Sequence, residues 1–196
     1  ESILIKRLIQ NFAIIHFDKE FNLYLNNKIT IKTSLSKDRE VKNRFFNRVN
    51  QILGTDFIEN SIDLEANSEF ISLSGLIGYP TFNYSNSNNQ FVFVNGRVIN
   101  DKTLNTIFRV AYKDVMFHDR FPQLILNIKC PHDWVDVNVH PMKNEVRFSD
   151  FNFLKSFIIK TFRDSFENIG YENNKLKSST LLVEQNSGNG FQEKIK

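Results

Sequence analysis

The feature that most restricts this fold is residues 135–148, Val-Asp-Val-Asn-Val-His-Pro-Met-Lys-Asn-Glu-Val-Arg-Phe. Val135, Val137 and Val139 alternate with Asp136, Asn138 and His140, so a strand here has one apolar face and one hydrogen-bonding face. Pro141 then fixes its own φ and restricts His140, which stiffens the turn and gives Lys143 a defined point of departure. A second strand follows, through Val146 and Phe148. These residues alone allow two readings. One is a β-hairpin with a solvated lysine at its tip; the other is a cation held in place for a phosphate, with Asn138, His140 and Pro141 supporting the loop.

A second stretch, Phe91-Val-Phe-Val-Asn-Gly-Arg-Val98, precedes the first. Taken together, in this order and at this separation, the two closely resemble the paired signatures of the MutL family of DNA mismatch-repair proteins. The resemblance implies an ATPase of the gyrase and histidine-kinase (GHKL) type, in which a second domain of ribosomal protein S5 type sends a lysine into the nucleotide site of the first. Lys143 occupies that place here. It also implies an α+β fold, a mostly four-stranded sheet with two helices on one face. ATP and Mg2+ belong to the full-length protein on this reading, and DNA, a MutS-type mismatch-recognition protein and a second copy of the chain are its partners.

Composition sets milder bounds. The 196 residues are 41% hydrophobic, enough for one ordinary core with pieces of a second unit. A formal charge of +3 does not by itself diagnose a nucleic-acid binder. The single cysteine, Cys130, excludes an internal disulfide and a cysteine-based zinc site. No run approaches a membrane span and no signal-peptide pattern opens the chain, so an intracellular protein is expected, cytoplasmic and DNA-associated if bacterial. Glu1 leads straight into a periodic apolar pattern, as in a segment of something longer.

Ile3, Leu4, Leu8, Phe12 and Ile15 recur at helical spacing. They are followed by strands at 21–25 and 28–32 around the turn formers Asn26 and Asn27. In the MutL family a helix and hairpin of this kind close the ATPase domain, so 1–34 is expected to be its edge, 35–172 the S5-like domain and 173–196 the start of a flexible linker. Ser36 is a cap candidate for a helix that buries Val41, Phe45, Val49 and Ile52 and ends at Gly54, with Lys37, Arg44 and Arg48 off the apolar row. Residues 51–75 hold five acids and no Lys or Arg, and would repel DNA.

Strands are expected at 58–64, 70–77 and 90–94, with a turn at Asn95-Gly96. Asn100 or Asp101 caps a helix that buries Leu104, Ile107, Phe108, Ala111 and Val115. Its other side carries Lys102, Arg109 and Lys113, a row of cations able to track a phosphate backbone, or simply a solvated face. The resemblance adds to this: in the family a basic residue five places after the Arg of the Asn-Gly-Arg signature is associated with DNA binding, and Lys102 stands there.

Leu124–Ile128 reads as a central strand, and the apolar run from Phe151 to Phe166 as a covering helix ended by Gly170. His132, Asp133, Asp136 and His140 match no common metal-ligand spacing, so no metal is expected. No phosphate-binding loop of the Gly-x-x-x-x-Gly-Lys type occurs, and the GHKL nucleotide motifs have no counterpart. This segment alone is therefore not expected to be catalytic or to bind ATP. A free-standing S5-like nucleic-acid module and the second domain of a gyrase B-type ATPase are the competing readings.

Overall fold

A computed structural model describes residues 1–136 and 146–187, with side chains as far as Ile169. Helix α1 (Ser2–Ile15) leads into a hairpin, β1 (Asn22–Leu25) and β2 (Lys28–Lys32). Its turn residues Asn26 and Asn27 adopt φ of 50° and 60°, the left-handed values a two-residue hairpin turn requires. Helix α2 (Val41–Leu53) starts later than the sequence suggests, because Ser36 and Asp38 accept from the backbone N–H groups of Asp38 and Glu40 and hold the approach in turns. It ends at Gly54, with φ of 88°.

Next come α3 (Thr55–Glu59), β3 (Ser61–Asn67), β4 (Ser72–Gly78), the short β5 (Asn83–Tyr84), β6 (Gln90–Val94) and β7 (Arg97–Ile99). Helix α4 (Lys102–Ala111), the short β8 (Phe121–Pro122), β9 (Leu124–Lys129), the paired β10 (Val135–Asp136) and β11 (Arg147–Phe148), and α5 (Phe151–Ser187) complete the order. The sheet runs β3-β4-β9-β6-β7, with β9 in the middle, parallel to β6 and antiparallel to β4. The fold is α+β, and the three residues of β7 add a fifth strand to the sheet.

Both faces of this sheet are covered, which explains the near-continuous apolar runs of β6 and β9. Val92, Val94, Leu124, Leu126 and Ile128 meet α4 and α5 through Leu104, Phe108, Leu154, Ile158 and Phe162. Leu76, Phe91, Phe93 and Ile125 turn the other way, toward Ile14 of α1, Val49 of α2 and Phe57 of α3. Two helices therefore cover one face as the sequence suggests, and the amino-terminal helices cover the second.

Two arginines fasten α1 to this body. The Arg7 guanidinium donates to the Gln90 carbonyl at 2.6 Å and lies 3.5 Å from the centre of the Phe91 ring, and burial lowers its pKa to about 10, leaving it charged at neutral pH. Arg48, 1% exposed, donates to the carbonyls of Ala13 (2.8 Å), His16 (3.3 Å) and Lys19 (2.6 Å). It thus satisfies carbonyls where α1 ends and the chain turns, at the negative pole of the helix. The helical spacing puts Arg48 off the apolar row, beside Lys37 and Arg44. That side of α2 nevertheless faces α1 instead of water.

Helix α5 passes through Gly170 and continues to Ser187, where the sequence suggested an end and a linker. One glycine inside a helix costs only about 1 kcal/mol, and helix formers such as Glu172, Lys175, Leu176 and Leu181 follow.

Gly75, at the centre of β4, has φ of 142°, and a Cβ there would overlap the Ile125 carbonyl oxygen of β9. Gly75→Ala should destabilise the protein by about 2–3 kcal/mol through strain and overpacking, seen as a lower urea midpoint at unchanged slope. Arg48→Met removes the donor that links α2 to the carbonyls of Ala13, His16 and Lys19 and should cost about 2–4 kcal/mol in the same measurement.

Candidate functional site: the basic helix and the base of the signature hairpin

Helix α4 begins where Asp101 accepts from the backbone N–H groups of Thr103 (2.7 Å) and Leu104 (3.2 Å). Lys102 is the first helical residue and is exposed. A cation there faces the positive pole of the helix, so helix stability gives no reason for it. Arg109, in the last turn, faces the negative pole and is favoured. The seven-position separation puts these residues about 10 Å apart along the axis, about three nucleotide steps of a single strand.

Lys113 lies past the end of the helix, which stops at Ala111. Val115, expected in the core, is 49% exposed for the same reason. The cause is Tyr112, which is fully buried and donates from its hydroxyl to the Gly78 carbonyl at 2.7 Å while its ring packs against Phe162 and Phe166. Burial raises the Tyr112 pKa, so the hydroxyl stays a donor. Beyond it the backbone N–H groups of Val115 and Met116 both return to the Tyr112 carbonyl.

Arg109 has a structural task that the spacing did not reveal. Its guanidinium donates to the His118 carbonyl at 2.7 Å and lies 5.3 Å from the centre of the Phe121 ring, so it ties the 112–120 turn back to the helix. Lys113 and Lys102 form no ion pair among the described residues.

Asn95 ties the first signature stretch to the end of β9. The β6–β7 turn holds Asn95 and Gly96 at φ of 48° and 78°. The Asn95 amide donates to the Cys130 carbonyl and accepts from the Cys130 N–H, both at 3.0 Å, and the Asn95 backbone N–H donates to Ile128 at 2.9 Å. The turn is thereby locked to the end of β9, just before the chain enters the second signature. Burial pushes the Cys130 thiol up, the hydrogen bond from Asn95 opposes this, and Asp133 adds to it.

From there a short 3-10 turn (His132–Trp134) leads into β10. Val135 pairs with Phe148 and Asp136 with Arg147, antiparallel, as a hairpin demands. Phe148 and Val146 are buried in the core, and Trp134 stacks on Phe70 at 5.2 Å with Phe153 edge-on at 5.8 Å. The Ser149 N–H donates to the Trp134 carbonyl at 2.9 Å and closes the base. Lys143, Asn138, His140 and Pro141 lie outside the described residues. Asp101, Thr103 and Leu104 share a concavity of about 240 Å³ with Val146, Arg147, Phe148 and Phe151, so the Lys102 end of α4 adjoins the hairpin base.

Among the described residues no group of three His, Cys, Asp or Glu side chains gathers where it could hold a metal ion, and no helix is long and apolar enough to cross a membrane.

Residues 49–167 match the family model described as DNA mismatch repair protein, C-terminal domain. The chain belongs to the MutL family of DNA mismatch-repair proteins. DNA mismatch repair protein MutL of Rickettsia bellii is 33% identical over 82% of this chain and 26% of its own length. That of Bartonella tribocorum is 42% identical over 69% and 22%, and that of Allorhizobium ampelinum 32% over 98% and 31%. The chain thus spans about a fifth to a third of the length of the MutL relatives it matches. A crystal structure of the N-terminal domain of a DNA repair protein shares the fold, with a TM-score of 0.69 and 20% identity over 85% of this chain and 53% of that one.

In this MutL-family chain Arg109→Ala should release the 112–120 turn without unfolding the helix. Amide hydrogen exchange at residues 116–120 should accelerate while the core amides stay protected, and Lys113→Ala should leave both unchanged.

Proposed function

We propose that the chain is the part of a MutL-like protein that couples ATP binding and hydrolysis in a preceding domain to conformational change and DNA contact. Residues 1–34 close that preceding ATPase domain and residues 35–172 form the S5-like transducer. Lys143, at the tip of the signature hairpin, contacts the terminal phosphate of the nucleotide. Asn138, His140 and Pro141 hold the loop that presents it, while ATP and Mg2+ are held by residues outside this chain. Lys102, Arg109 and Lys113 contact DNA, with Arg109 also bracing the adjoining turn. In the intact protein a MutS-type mismatch-recognition protein and a second copy of the chain are the further partners.

The observation that carries this reading is the β10–β11 pairing. Val135↔Phe148 and Asp136↔Arg147 pair the chain on either side of segment 137–145, in which Lys143 lies, and Phe148 is buried in the core. A second observation supports the domain assignment. Ile3 and Leu4 of α1 are 81% and 74% exposed and Leu8 is 51% exposed, an apolar stripe of the kind a larger body covers.

The physical basis is a two-state contact. A terminal phosphate adds charge opposite the lysine and draws the transducer toward the nucleotide, and loss of that phosphate releases it. Such a charge-assisted contact is worth about 1.5–3 kcal/mol, or about 10–100-fold in rate when it forms with the transition state. Lys143→Met in the full-length protein should therefore lower ATP turnover by about that factor with an unchanged thermal midpoint. Turnover equal to wild type would refute the coupling role and favour a nucleic-acid-binding module.

A further inference from the structure

We propose that the turn between α4 and β8 is a contact for unpaired nucleic acid, in which the Phe117 ring stacks on an exposed base while Lys113 and Arg120 meet the flanking phosphates. This rests on the reading that the basic side of α4 faces DNA, and it specifies the form of DNA the carboxy-terminal end of that side takes.

Three observations converge on the turn. Phe117 is 78% exposed, although most of the chain's phenylalanines pack inward. It borders a concavity of about 250 Å³ whose lining includes Arg109, Lys113, Met116, His118 and Arg120 and no carboxylate. The turn carries two acids, Asp114, which pairs with Arg163 at 3.1 Å, and Asp119, and neither lines the concavity. The concavity is therefore cationic at its edge and apolar at its floor.

The backbone that carries the ring is held in place. Arg109 donates to the His118 carbonyl at 2.7 Å, and the Arg120 N–H returns to the Phe117 carbonyl at 3.1 Å. A ring carried on a turn bonded on both sides loses little freedom when a base lands on it.

Cations alone bind duplex and single strand alike, through the backbone charge. An exposed ring breaks that symmetry, because the faces of bases inside a duplex are already stacked on their neighbours whereas an unpaired base offers a free face. No sequence preference follows, since every base has such a face.

The test measures binding of the full-length protein to a labelled short oligothymidylate and to a blunt duplex of the same length, at fixed salt, by fluorescence anisotropy. Phe117→Ala should weaken single-strand binding roughly 10-fold and leave duplex binding unchanged, with Phe117→Trp restoring it. Lys113→Ala should weaken both and lower the salt slope by about one. If Phe117→Ala leaves single-strand binding intact while Lys113→Ala weakens both probes, the stacking proposal fails and the DNA-contact reading stands. If neither variant changes either probe, both fail. Phe117 is exposed, and equal thermal midpoints for the variants separate lost contact from lost fold.

Discussion

Arg48 holds together two parts of the chain that the hydrophobic pattern alone would leave loosely joined. Helix α1 turns much of its apolar stripe outward, so its attachment to the sheet rests on few buried side chains, Ala13 and Ile14 above all. The Arg48 guanidinium supplies the rest by reaching from α2 to the carbonyls of Ala13, His16 and Lys19. A buried cation is stable there because carbonyls at the helix end and in the turn after it accept from it, which offsets part of its desolvation cost. Asp18 and Glu20 favour the charged form against the lowering effect of burial. Arg7 repeats the device nearer the middle of α1, with the Gln90 carbonyl and the Phe91 ring as its partners. Polar clamps of this sort fix orientation where apolar contact would allow sliding.

The elements written as simple periods were legible in the sequence. The helical stripe of 104, 107, 108 and 111, the apolar run at 124–128 and the Asn-rich turns follow from backbone geometry and appear in the fold. What periodicity could not show was which polar positions bond to a neighbouring stretch of chain. Arg48 and Arg109 occupy positions that read as solvent-facing, and only the path of the neighbouring chain gives them carbonyls to meet. Likewise the spacing that ends at Val115 continues a real helix one turn too far, because a period says nothing about where burial of Tyr112 ends the helix. The helix past Gly170 is the opposite case, a local breaker outweighed by the residues after it.

The candidate site divides the same way. Lys102 was visible as a cation at a capped helix start, and its position against the helix dipole strengthens the case that it serves something other than the helix. Phe117 carried no signal, since an isolated aromatic in a sequence gives no hint of its exposure. The signature hairpin was legible as two strands about a proline turn, and the pairing of β10 with β11 agrees with that reading. The lysine that motivated it is outside the described residues, so its role rests on family likeness and on the anchored base.

Asn95 ties the first signature to the strand end that leads toward the second. Its side chain closes a two-way bond with Cys130, which fixes the β6–β7 turn to the strand end from which the hairpin departs. On the far side, Val146 and Phe148 enter the core beside α4 and α5, and their concavity is completed by Asp101, Thr103 and Leu104. The hairpin base therefore adjoins the start of the basic helix, one short turn of chain after the strand end that the Asn-Gly turn holds. On the proposed reading, a pull on Lys143 would act on these two neighbours first, because they bear the bonds and packing that resist it. The Lys102 end of α4 is one of them. Coupling between a phosphate contact and a DNA contact then needs no long pathway, only a hairpin base whose packing against that helix end has two settings.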